Sequence, residues 1–172
     1  GTERRAGVWC VPTADRLTTP PLDSLGPEAA GLGAEALQQR LADTPSTRLH
    51  GWLRNQHSVA GIGRRLANEI CHRAKVSPFA TTRKLTAAQI RDVADAIDAI
   101  IAEGLAAERQ RSTMSSSKER PSHVHGRTDE PCNVCGDTIR AVEYSSYTIN
   151  YCPTCQTGGK VLADNTTSKF LK

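Results

Sequence analysis

The sequence predicts a mostly α-helical molecule that ends in a small cysteine-anchored β-hairpin. Three observations carry that expectation. First, Ile90, Val93, Ala94, Ile97, Ile100, Ile101 and Leu105 recur at the spacing of one helix face, behind a Thr86/Gln89 capping-box pattern. Second, the turn Gly61-Ile62-Gly63 precedes a run starting near Arg64 that suits a helix ending before Ser77-Pro78. Third, the pairs Cys132/Cys135 and Cys152/Cys155 flank two β-prone stretches, T-I-R-A-V-E-Y and Y-T-I-N-Y, that break at Ser145-Ser146 and read as a hairpin.

Taken in chain order, G-T-E-R-R-A-G-V-W-C-V predicts a strand through Val8 to Val11 that opens without a turn or cap, like the last strand of a preceding unit. A polar stretch holding Pro12, Pro20 and Pro21 follows. Leu25 to Ala29 puts Pro27 and Glu28 in the first turn of a helix expected to run to about Asp43. After Thr44-Pro45-Ser46-Thr47 a short helix carries Trp52 and Leu53. Residues 109–130 are polar and aperiodic and predict a linker loop; residues 131–157 form the finger and 158–172 a polar tail.

At 172 residues and 38% hydrophobic content, the chain fits one ordinary domain or two small ones. With no long apolar run and no charged-then-apolar leader, neither a membrane-spanning nor a secreted protein is expected. The cysteines agree: four are packed into two C-x-x-C pairs, with Cys10 and Cys71 alone, where a disulfide framework would scatter them. Reducing surroundings, as in a bacterial cytoplasm, keep such thiols available for a metal. Charge is uneven. From Arg48 to Lys84 the only acid is Glu69, against Arg48, Arg54, Arg64, Arg65, Arg73, Lys75, Arg83 and Lys84. Such a block suits a polyanion; a solvated helix face usually interleaves acids.

Two patterns carry chemistry. The two C-x-x-C pairs at the ends of a hairpin supply four soft ligands for one structural Zn²⁺, with no open position for catalytic water. A redox dithiol and a rubredoxin-type iron centre are the alternatives. A helix that starts after Gly61-Ile62-Gly63 presents unpaired N–H groups and a positive dipole end, and Arg64 and Arg65 stand there, which suits an anion such as phosphate. The same glycines also suit a tight helix–helix turn. His57 and His72 fit packing or solvent roles as well as DNA contact, and Trp9 and Trp52 read as core. Cys10 and Cys71 read as buried small hydrophobes, and His123 and His125 are not needed beside four cysteines. Asp92, Asp95, Asp98 and Glu103 fall opposite the apolar stripe, on a solvated face.

G-P-E-A, W-L-R-N-Q-H-S-V-A-G-I-G, H-V-H-G-R-T-D-E-P-C-N-V-C-G and C-P-T-C-Q, in this order, resemble the formamidopyrimidine-DNA glycosylase and endonuclease VIII family over nearly the whole chain. The resemblance implies a helix-two-turn-helix module over residues 25–108, then the family's zinc finger, together gripping lesion-containing double-stranded DNA in base-excision repair. Residues 1–24 would be the end of the catalytic domain and its connecting loop. The family's activity is N-glycosyl hydrolysis of oxidised bases with abasic-site lyase action, performed by an N-terminal proline amine, a neighbouring glutamate and a lysine. None of these is matched here, so no catalytic residue is assigned and this chain is expected to bind as a nucleoid-associated monomer without cutting. A non-catalytic nucleic-acid-binding or adaptor protein is the alternative. The implied DNA contacts are Arg4, His50, Gly61, Gly63, Arg64, Arg65 and Tyr147. The sequence departs from the family at three places: Arg64 replaces an asparagine that holds phosphate, Ala6 replaces an aromatic wedge, and Tyr147 replaces a hairpin-tip arginine that clamps phosphates.

Overall fold

A computed structural model describes residues 18–20, 22–113 and 120–162. The expected strand at Val8 to Val11, together with Arg4, Ala6, Trp9 and Cys10, lies outside the described residues. Among the described residues the regular structure comprises five α-helices and one hairpin, α1 (Ala34–Asp43), α2 (Leu49–Arg54), α3 (Arg64–Arg73), α4 (Ala87–Arg109), β1 (Arg140–Tyr144), β2 (Tyr147–Tyr151) and the short α5 (Pro153–Thr157), with single 3-10 turns at Leu22–Ser24 and Thr82–Lys84.

The expected helix start at Pro27 is corrected. Pro27 to Ala29 pairs instead with the turn before α3, through Ala29 N–H to Ala60 O and Ala60 N–H to Pro27 O, each near 3 Å. Gly26 sits so close to this turn that a Cβ would lie 2.7 Å from the Ser58 carbonyl, and the left-handed Gly31 and Gly33 delay the helix to Ala34. Its end at Asp43 agrees with expectation.

Helix α4 starts on a complete capping box, Thr86 Oγ1 accepting from Gln89 N–H and Gln89 Oε1 from Thr86 N–H. Its stripe Ile90, Val93, Ala94, Ala96, Ile97 and Ile100 is buried against Leu37 and Leu41 of α1, Trp52 and Leu53 of α2, and Ala67, Ile70 and Cys71 of α3. The stripe ends there, since Leu105 is half exposed. Trp52 is core as expected, and its indole N–H donates to Thr44 Oγ1 at 2.7 Å. Asp92, Asp95 and Asp98 face solvent, although Asp98 also accepts the Gly31 N–H, and exposed Glu103 pairs with Arg73 at 2.7 Å.

The finger has its own small core of Val124, Ile139, Cys132 and Cys152. The antiparallel register pairs Val142 with Ile149 and closes with Tyr144 opposite Tyr147. Residues 121–130 are not a loose linker. Val124 is fully buried, and the Glu69 carboxylate of α3 accepts the N–H groups of His123, Val124 and His125 at 2.8–3.0 Å. Gln156 completes the attachment, its amide donating to Val76 O while its oxygen accepts the Cys152 N–H. No helix among the described residues is long and apolar enough to cross a membrane.

Candidate nucleic-acid interface and metal centre

The first C-x-x-C pair forms a tight turn, the second spans the N-cap and first turn of α5, and the hairpin returns the second pair to the first. The four Sγ atoms all lie within 4.8 Å of one another, with Cys132–Cys155 at 3.9 Å and Cys135–Cys152 at 3.4 Å. A tetrahedral ion with metal–sulfur bonds near 2.3 Å spaces its sulfurs about 3.8 Å apart, so the quartet fits one metal ion. Asp137 ties the two turns together by accepting from the Thr154 hydroxyl and N–H, which, with the Thr138 N–H, holds its carboxyl below the usual range.

Burial opposes ionisation of Cys132, but the N–H groups of Val134 and Cys135 together with the Cys152 and Cys135 thiols outweigh it and lower its pKa. Burial pushes the Cys152 thiol up to about 11 and raises Cys155 as well. The protein alone therefore favours the Cys132 thiolate and disfavours those of Cys152 and Cys155, a cost that the charge of a bound cation offsets. His72 Nε2 lies 3.3 Å from Cys132 Sγ, placed to donate to that thiolate, so His72 is a buried neighbour of the cysteine quartet, in a packing role.

The finger lies along α3. Its metal end meets His72 near the helix C-terminus, and its hairpin turn meets the N-terminus, where Arg64 donates to Ser146 O at 2.9 Å. Between them opens a trench of about 1000 Å³. Gly61, Gly63, Arg64 and Arg65 form one wall, Ser145, Ser146 and Tyr147 the other, and His125, Gly126 and Asn150 the inner lining; Arg120 adds a cation and Glu143 an acid. The N-cap of α3 is Gly63, which brings no side chain to cap the helix start, so the first-turn N–H groups suit an anion.

Five of the seven expected contact residues line this trench. His50 does not: it is buried, with its ring stacked against Tyr147 at 6.2 Å between centroids. Burial first, and the charge of Arg54 second, lower its pKa to about 4. Arg4 lies outside the described residues.

The profile of the formamidopyrimidine-DNA glycosylase H2TH domain matches residues 25–116. A formamidopyrimidine-DNA glycosylase-like protein of Mycobacterium tuberculosis is 38% identical over 156 residues, covering 90% of this chain and 98% of the relative. The chain belongs to the formamidopyrimidine-DNA glycosylase family. The formamidopyrimidine-DNA glycosylase of Desulfitobacterium hafniense is 34% identical over 164 residues, and the match spans 90% of this chain but 60% of that enzyme. Among solved structures, a variant of the Lactococcus lactis FPG protein in complex with a Fapy-dG-containing DNA superposes with a TM-score of 0.69 at 26% identity, covering 84% of this chain and 56% of the other.

Several residues that build the site are not singled out by the sequence, although Gln56 lies within the W-L-R-N-Q-H-S-V-A-G-I-G motif. Gln56 braces the glycine turn, accepting the Gly61 N–H and donating to Ile62 O at 2.9 Å each. Asn68 reaches His125, and Asn150 holds Gly126 and Thr128, which fixes the inner lining. Glu69 was visible only as the lone acid of a basic block.

Proposed function

We propose that this chain grips lesion-containing double-stranded DNA in base-excision repair, with the phosphate backbone seated in the trench between the start of α3 and the hairpin turn. One observation carries the reading. The uncapped helix start with its two arginines and the metal-locked hairpin face the same trench, bridged at 2.9 Å from Arg64 to Ser146. Backbone N–H groups, a helix dipole and guanidinium groups converging on one groove suit phosphate better than a neutral ligand. The Fapy-dG-containing DNA of the Lactococcus lactis complex supports damaged duplex as the ligand. We assign Zn²⁺ to the cysteine quartet, because four soft thiolates closed into a tetrahedron suit it, and a reducing bacterial cytoplasm suits both. Glycosylase and abasic-site lyase chemistry belongs, on this reading, to a protein that joins the module to an amine nucleophile.

The test is a fluorescence-anisotropy titration of zinc-loaded protein against duplex with and without an abasic-site analogue. Binding should weaken steeply with salt. Replacing Arg64 and Arg65 together by alanine should cost about 2 kcal/mol or more, taking about 1.5 kcal/mol per charged hydrogen bond lost. Unchanged affinity of that double variant at low salt would overturn the phosphate role. Borohydride trapping on abasic-site DNA separates binding from catalysis, because only an amine-nucleophile enzyme becomes covalently attached.

A further inference from the structure

Most arginines of the helical module commit their guanidinium to the protein itself: Arg40 and Arg83 to backbone carbonyls, Arg48 to Phe79 O, Arg64 to Ser146 O and Arg73 to Glu103. Arg54 does not. At the end of α2, just after buried Trp52 and Leu53, its guanidinium carbon lies 4.2 Å from the centroid of the Tyr147 ring, and among the described residues it has no carboxylate or carbonyl partner. The Tyr147 ring is itself fixed, stacked on Tyr144 at 4.6 Å between centroids and nearly parallel to it.

A guanidinium resting on an aromatic face keeps its N–H donors around its rim, where they remain available to a phosphate, and it loses less side-chain freedom when it binds one. Tyr147 lines the DNA trench; Arg54 is not itself among the lining residues but rests on that ring, one side chain away from it. We propose that Arg54 is a phosphate-contacting residue of the trench and that the Tyr147 ring is its platform, so that α2 supplies the cation which the family resemblance places on the hairpin tip. The inference rests on the DNA-binding reading above. Neutral His50, behind the same ring, adds no second charge at ordinary pH.

A double-mutant cycle in the anisotropy assay, read over a series of salt concentrations, tests it. Arg54→Ala should weaken duplex binding roughly tenfold near 0.1 M salt and make the slope of log affinity against log salt shallower by about one, the signature of one lost phosphate contact. Tyr147→Leu should weaken binding several-fold, and the double variant should bind no worse than Arg54→Ala alone, because the ring acts only through the arginine. Tyr147→Phe, which keeps the ring, should rescue the Leu loss. Zinc content and melting temperature identify any variant that misfolds, and Arg54→Lys, which keeps the charge, should recover most of the slope. An Arg54→Ala slope equal to the wild type overturns the contact. Strictly additive losses, or Tyr147→Phe as weak as Tyr147→Leu, overturn the platform. Absence of any salt-dependent duplex binding by the wild type would instead overturn the DNA-binding reading itself.

Discussion

His50 is a polar side chain in an apolar role. It is buried, and neither ring nitrogen has a hydrogen-bond partner among the described residues. Because its pKa falls from 6.5 to about 4 on folding, the unfolded chain takes up a proton over a pH range in which the folded chain does not. Its contribution to stability is therefore present above pH 6.5, is lost as pH drops from there towards 4, and levels off below. At about 1.4 kcal/mol per pKa unit, the loss amounts to roughly 3 kcal/mol. His50→Phe preserves a flat ring against Tyr147 and removes the titration, so urea melts at pH 7, 6, 5 and 4 should show a decline shallower by about that amount. Comparing the two proteins at each pH cancels protonation of the metal ligands, and parallel declines would refute the assignment. The family resemblance gave the expectation that His50 contacts DNA. Its ring instead meets Tyr147, from a distant segment, and no local pattern encodes that meeting.

At the scale of elements, the turn before α3 is less symmetric than its two glycines suggest. Gly61 has φ near +93°, a backbone state that side-chain-bearing residues seldom adopt, whereas Gly63 is extended at φ −99° with nothing within 4 Å of a Cβ. Gly61→Ala should accordingly cost about 1–3 kcal/mol in a denaturant melt, while Gly63→Ala should leave stability nearly unchanged. Equal effects from the two substitutions would contradict this turn geometry. Legibility at this scale followed the range of the signal. The Thr86/Gln89 box, the α4 stripe and the cysteine pairs are short-range patterns, and each was readable. Pro27-Glu28 carries the same local signature as a helix start but is claimed by hydrogen bonds to Ala60, and residues 121–130 look like a linker because their anchor, Glu69, is on another helix. Tertiary partners overrode local chemistry in both cases.

At the scale of the molecule, the described residues form two cores of unequal strength joined by a polar seam. The helical core gathers apolar side chains from four helices, whereas the finger clusters only Val124, Ile139 and metal ligands, with Val142, Ile149 and Tyr151 buried along its hairpin. An apolar cluster of that size cannot offset the ordering of some thirty residues, so metal binding should supply most of the finger's folding free energy. Stripping the ion with a chelator should then abolish hydrogen-exchange protection at β1 and β2 while the α4 amides remain protected. The seam should open with the finger, because Glu69 holds residues 123–125 and Gln156 holds Val76 only while the cysteine turns keep their shape. DNA affinity should fall further than in the Arg64/Arg65 double variant, since the hairpin wall of the trench is lost with Tyr147 and its Arg54 partner. Hairpin amides that stay protected without metal would show the finger to be stable on its packing alone. Simultaneous loss of α4 protection would show the two cores to be a single cooperative unit.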